Sequence, residues 1–312
     1  MTIRKPFFVV PLGLGTVAAQ NSTSGFPVAH LGRPRDIGLV WKTTGTMWAR
    51  GDMGSAQSID FAALIGTNAQ AGTSIRLRLG TTQAEVDGTA PYDSGVLPLI
   101  YVEPSASVSV LNSAGASFAT GLAVLNSAGS SFTVSSAVLN SAGSSFTVSS
   151  GSSMLSPSGL FHSHLEISAL QSARWWRIDI SGHSGTFEAM SLVLGTRLAP
   201  TYFYNTDFEY GTEPLGTMDF TRLGVADVEP GITLRTMGFS LSWMTRAEWE
   251  VSFRPFVERL GKTGVAYLCF DPEANIYRQN NTFLGPMKKW PVARGLVKPG
   301  FFTSEWTLNS PI

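Results

Sequence analysis

Charge is scarce in this chain, and cysteine scarcer still. Asp, Glu, Lys and Arg together make up 14% of the 312 residues, against about 25% in an ordinary soluble domain. The 22 basic and 22 acidic side chains cancel, and no Lys/Arg run occurs. That argues against nucleic acid as the main partner, because phosphate neutralisation needs clustered cations. So little charge also implies a surface partly covered by other protein. The single cysteine, Cys269, cannot form an internal disulfide. Its place in the apolar run Val265–Phe270 marks it as a buried hydrophobe rather than a nucleophile. Zinc-type Cys/His spacing is missing, as are GxSxG and any phosphate loop; Gly13-Leu-Gly15 is only a fragment of one. Long helical periodicity is almost absent.

The N-terminus imitates a signal peptide, with Arg4-Lys5 ahead of Phe7–Val10 and Leu12–Ala19. Pro6, Pro11, Gly13 and Gly15 interrupt it, and it is too short to span a bilayer. Residues 1–19 are therefore expected to form an arm that adds an edge strand, to this subunit or to a neighbour.

What the chain has in quantity is β-pattern. Ser74–Leu79 alternates, with Ile75, Leu77 and Leu79 inward and Arg76 and Arg78 outward. Arg174–Ile180 does the same, and the turn Ser181–Gly185 leads to the apolar stretch Met190–Leu194; together they read as a β-hairpin. Alternation must bury either Trp175 or Trp176. The expected fold is all-β, with two β-sandwich domains. The first, over 20–200, is a jelly roll. Inserted in it at 104–160 are three near-identical copies, 14 residues apart, of Val-Leu-Asn-Ser-Ala-Gly-(Ala/Ser)-Ser-Phe, each reading as strand, turn, strand. An ordered arm of stacked copies is favoured over a low-complexity loop, because Val, Leu and Phe recur in phase. The second domain, over 201–312, holds aromatic strand-like residues Phe203–Tyr210 and a long alternating stretch, Ile232–Trp243. Its one helix, 246–260, should be capped by Thr245 with Glu248. Trp249, Phe253, Phe256, Val257 and Leu260 form its apolar face; Pro255 should kink or split it.

Candidate chemistry is thin. His162 and His164 could share a strand face as a metal pair with Glu166, but a polar strand face is the better account of them. Asp87, Asp93, Asp179 and Glu188 could supply paired carboxylates, but such residues usually cap turns. No catalytic constellation, cofactor site or metal site emerges, and no enzyme activity is expected. Aromatic residues at the loop-rich end of the first domain are the better signal: Trp41, Trp48 and Tyr92 are candidates for glycan or partner contact.

Two resemblances follow from these pieces. Trp41, Trp48, Gln57–Phe61, Ala63–Asn68, Ile75–Leu79 and Arg174–Ile180 resemble, in order and character, the galactose-binding, discoidin-like jelly roll. The whole order, with Leu268-Cys-Phe-Asp-Pro272 closing a strand, resembles tail-tip and baseplate proteins of long-tailed bacteriophages, the second domain being similar to the ring-forming domain of distal tail proteins. The resemblance implies a virion structural protein made in the bacterial cytoplasm. Copies would form a ring around the tail channel and contact the tube, hub and tape-measure proteins. Recognition of host-surface glycan by the first domain is the alternative.

Overall fold

A computed structural model describes residues 4–36, 38–45, 47–101, 159–220, 222, 225–296 and 298–311, with the backbone of six short strands between 110 and 147. The first unit is built on two long strands. β1 (Phe7–Val9), β2 (Thr16–Ala19) and β3 (Trp41–Thr43) precede β4 (Met47–Ile65), which is 19 residues long. β5 (Ser74–Gly80), α1 (Gln83–Asp87), β6 (Tyr92–Asp93) and β7 (Leu97–Pro98) follow.

Three hairpins come next. β8 (Val110–Leu111) pairs with β9 (Ser117–Phe118), β10 (Val124–Leu125) with β11 (Ser131–Phe132), and β12 (Ala137–Leu139) with β13 (Ser145–Thr147). The two strands of each repeat thus pair with each other. The expected stacking of copies depends on side chains outside the described residues.

β14 (Leu165–Ser181), the second long strand, pairs antiparallel with β4 on one side and β5 on the other. β15 (Phe187–Ala189) and β16 (Ser191–Gly195) complete the unit. The sheet order is β16-β4-β14-β5-β6, with β2 also on β4 and β7 on β5. The expected 174–194 hairpin is therefore wrong. β4 lies between β14 and β16, and after the Ser181–Gly185 turn the chain crosses to the other layer, where β15 pairs with β3. Period-2 patterning shows that a strand has a buried face, but not which strand lies beside it. All five residues of β16 are buried, as a continuous apolar run requires. Trp176 is the tryptophan that alternation buries; with Trp41, Ile178, Leu77 and Phe187 it fills the core between the layers.

The second unit is a sheet ordered β1-β21-β22-β24-β20-β17. Its strands are β17 (Glu209–Pro214), β20 (Thr233–Thr245), β21 (Val265–Cys269), β22 (Thr282–Lys289) and β24 (Phe301–Ser310), with β23 (Ala293–Gly295) beside β24. β18 (Thr217–Phe220) and β19 (Ala226–Glu229) pair only with each other. Phe203–Phe208, expected as strand, is mostly irregular, and regular pairing begins at Glu209. A bulge between Leu241 and Met244 leaves Trp243 exposed with φ 62°, a backbone conformation unfavourable for a bulky residue.

The helix runs over 246–260 but is not uniform. α2 (Arg246–Glu248) leads into a π-turn at Trp249–Phe253 and then α3 (Arg254–Leu260). The Arg254 N–H reaches back to the Trp249 carbonyl. Pro255, which has no N–H to give, follows directly, and the wide turn absorbs the defect. Thr245 Oγ1 accepts from the Glu248 N–H at 3.1 Å, as the cap predicts. The Glu248 carboxylate does not fold back to close a box. It takes the Thr201 N–H at 2.7 Å and so pins the segment joining the units.

Residues 4–19 add strands to this subunit, the first of the two expected alternatives. β1 is an edge strand of the second unit's sheet, paired with β21, and β2 is a strand of the first. Alternation along β1 serves two cores at once. Phe8 enters the second unit's core beside Phe239, Phe256 and Trp306. Phe7 and Val9 face the other way, into a third cluster with Phe61, Ile65, Val193, Tyr267 and Leu284 from both units. Phe8→Ala should therefore destabilise the whole chain by about 3–5 kcal/mol, the usual range for emptying a buried phenylalanine site. Denaturant unfolding followed by tryptophan fluorescence should show one transition moving to lower midpoint, with both units lost together.

Candidate functional site

The open face of the first sheet carries a grid of arginines. Residues directly paired in an antiparallel ladder point to the same face. The register Arg50↔Arg177↔Arg78↔Asp93 makes one row across β4, β14, β5 and β6. The next row is Trp48↔Asp179↔Arg76. Three like charges side by side would repel, so carboxylates are set among them. Arg177 donates to Asp87 at 2.6 Å and to Asp179 at 2.7 Å. Arg78 donates to Asp179 at 2.6 Å, Arg76 to Asp93 at 2.8 Å, and Arg50 also reaches Asp87. Asp87 is placed by α1, whose first turn is closed by a Thr82–Glu85 capping box and which lies over β5. The guanidinium carbons of Arg177 and Arg50 stand 4.8 and 5.1 Å from the Trp48 ring centroid.

The three aromatic candidates are not brought together. Trp41 is a correction: it is fully buried in the core of the first unit, its indole N–H donating to Ser22 at 3.2 Å, and no ligand can reach it. Trp48 is on the open face and partly exposed. Tyr92 pairs with Leu79 and leans on the core from the inner side, opposite to Trp48. Burial, with the nearby Asp93 charge, raises the Tyr92 phenol above its ordinary value.

The carboxylate candidates are all held by cations, Glu188 by Lys42 at 2.7 Å. The Arg76 hydrogen bonds hold Asp93 below the usual range. At Asp87 burial pushes upward, but the Arg177 and Arg50 contacts outweigh it and the value is lowered. A general acid for glycoside hydrolysis needs a shift in the other direction.

His162 and His164 do not face a common metal. The Gly66 N–H donates to His162 Nδ1 at 2.9 Å, while His164 Nε2 lies 3.2 Å from Glu166. Among the described residues no group of three or more His, Cys, Asp or Glu is placed to hold a metal. Glu166 instead gathers a junction between the units: Arg4 donates to both its oxygens, at 2.8 and 2.7 Å, and Arg197 joins them. Cys269 lies in the shared core, and burial pushes its thiol up to about 12.

The surface that stands out belongs to the second unit. Of the seventeen large apolar side chains exposed among the described residues, fifteen lie after residue 200. Seven of these lie at 209–232, in one β-ribbon formed by β17, β18, β19, their connections and the start of β20, a feature the sequence pattern did not single out. Its distal part is amphipathic by register. Met218↔Val228 and Phe220↔Ala226 share one face, and Thr217↔Glu229 and Asp219↔Asp227 share the other. Met218, Phe220 and Val228 are 63%, 61% and 58% exposed. The alternation Met218-Asp219-Phe220 and Asp227-Val228-Glu229 was the available signal.

Acid titration tests the buried junction. Burial lowers both His162 and His164 from 6.5 to about 4. The unfolded chain therefore takes up protons between pH 6.5 and 4 that the folded chain refuses, and stability is lost across that window as pH falls. At Glu166 burial is outweighed by the His164 and Arg4 hydrogen bonds, and the carboxyl falls to about 2. Its contribution is present above pH 4.5 and lost towards pH 2. The melting temperature should begin to drop below pH 6.5, before ordinary carboxylates titrate. His164→Gln should flatten the upper part of that curve.

No family model matches the sequence, and no curated protein matches it. Solved structures do. Chitosan-binding module 1 of a chitosanase/glucanase from Paenibacillus sp. IK-5 is similar at 11% identity over 60% of this chain and 97% of the module, with a TM-score of 0.30. CpGH89CBM32-4 of Clostridium perfringens, solved with GlcNAc-α-1,4-galactose, is similar at 10% identity over 60% of this chain and 94% of its own, with a TM-score of 0.27. At these values neither module's ligand transfers to this chain.

Proposed function

We propose that this chain is a structural assembly subunit that acts by protein–protein contact and not by catalysis, in the manner of the tail-tip proteins of long-tailed bacteriophages. The observation that carries the reading is the ribbon at 209–232 with its uncovered apolar face. Two-stranded ribbons are marginal in water, and contiguous apolar surface beyond a few hundred Å² marks an interaction site. The ribbon's charged face adds a directly opposed Asp219–Asp227 pair, which disfavours the isolated ribbon. Burial against neighbouring copies would supply what the ribbon lacks alone. A ring around a tail channel, joined to tube, hub and tape-measure proteins in a virion, is the assembly the distal-tail resemblance implies. The test is the mass of the purified protein by light scattering, with negative-stain images of the same peak. A closed ring supports the reading, and a monomer at every concentration counts against it. Met218→Asp with Phe220→Asp should convert the assembly to monomer and leave the melting temperature of that monomer unchanged.

Glycan recognition by the first unit is a second reading, favoured by one arrangement. Trp48 is a partly exposed ring set in a comb of guanidinium and carboxylate groups, which offer paired donors and acceptors to sugar hydroxyls. Trp48→Ala should abolish binding on a panel of bacterial surface glycans without altering assembly mass. Trp41→Ala should instead lower stability by about 3–5 kcal/mol, as for any large aromatic removed from a core.

A further inference from the structure

We infer that the ribbon of one copy inserts into a groove at the waist of the next, so that copies associate head to tail. The inference rests on the assembly reading and names the surface that receives the ribbon. Two adjoining clefts, of about 540 and 520 Å³, flank the segment Val10–Leu12 where the chain passes between the units. They meet at Val10 and Arg259, which line both.

The two clefts differ in character. One is basic: Arg33 and Arg35 from the loop after Leu31, and Arg259 from the helix, stand against a single acid, Asp36. All three arginines are exposed. Arg33 touches Asp36 only at 4.0 Å, and Arg35 reaches Thr263 at 3.4 Å. Arg259 has no ion pair among the described residues. The other cleft offers Leu12, Leu198 and Pro255 as apolar contacts.

The ribbon has the complementary pair of faces. Asp219, Asp227 and Glu229 lie on one and form no ion pair among the described residues; Met218, Phe220 and Val228 lie on the other. An acidic face against the basic cleft and an apolar face against Leu12 and Pro255 would satisfy both at once. Electrostatic complementarity of this kind fixes register and orientation more than raw affinity.

Topology decides that the contact runs between copies. The ribbon grows from β17 and β20 at one edge of the second unit's sheet, and the groove borders β1 at the other. Five strand spacings, about 24 Å at ~4.8 Å each, separate those edges. Donor and acceptor are different surfaces on opposite sides of one sheet, so the association is heterologous. Such contacts build a ring if the rotation closes and a filament if it does not.

The experiment is charge reversal with mixing. One variant carries Asp219→Lys and Asp227→Lys, the other Arg35→Glu and Arg259→Glu. Each alone should weaken assembly at least tenfold in apparent dissociation constant by analytical ultracentrifugation, with its melting temperature unchanged. Mixed in equal amounts they should assemble again, because each reversed ribbon meets a reversed groove and each native ribbon a native groove. If the wild-type protein assembles but neither variant shifts the equilibrium, or mixing restores nothing, the groove is not the acceptor although assembly stands. If the wild-type protein is monomeric throughout, the inference falls together with the assembly reading.

Discussion

Three residues, Phe7, Phe8 and Val9, couple the two units of this protein, because a single edge strand alternates between their cores. Phe8 packs on Trp306 and Phe256 inside the second unit, while Phe7 meets Phe61 of the first and Tyr267 of the second. The strand's free edge is closed by Leu198, which exchanges both backbone hydrogen bonds with Phe8 at 2.9 and 2.8 Å. The N-terminus and the segment leaving the first unit are thus fastened to each other. A sheet edge that could recruit a stranger is covered by the chain itself. Around this strand the polar junction of Arg4, Arg197, His164 and Glu166 is satisfied almost wholly within the chain, which is what burial of ionised groups demands.

With the units joined, each has one conspicuous outward surface, and the two differ in kind. The open face of the first sheet is charged but internally neutralised. Its arginines are spaced by carboxylates on the adjacent rows and on α1, so Trp48 is embedded in an ordered polar surface. The second unit presents apolar groups without cover, concentrated on a ribbon whose distal strands, β18 and β19, contribute nothing to its own unit's core. Low overall charge and exposed apolar surface are the same fact seen in composition and in structure. Together they are the two observations on which the proposed assembly reading rests.

The strained Trp243 backbone fits that picture. The bulge that holds it at φ 62° turns a large aromatic ring outward, beside Phe301 at 5.9 Å. A glycine there would relieve the backbone.

Much of the fold was legible in the residues themselves. Strict alternation in Ser74–Leu79 and Arg174–Ile180 dictates strands and selects Leu77, Leu79, Trp176 and Ile178 for the core, because side chains on a pleated strand must alternate. Thr245 capping the helix and Pro255 disrupting it are also local consequences of chemistry within one turn. The positions that needed tertiary structure are those where the partner is distant. β4 separates β14 from β16, although the short turn suggested a hairpin. Trp41 is in the core, although the polar run Lys42-Thr43-Thr44 follows it directly. Arg50, Arg76, Arg78 and Arg177 become one grid only when three strands are laid side by side. Period and propensity act over a few residues, whereas strand order and the packing of both units on Phe7–Val9 depend on contacts between segments far apart in sequence, which exist only once the chain has closed on itself.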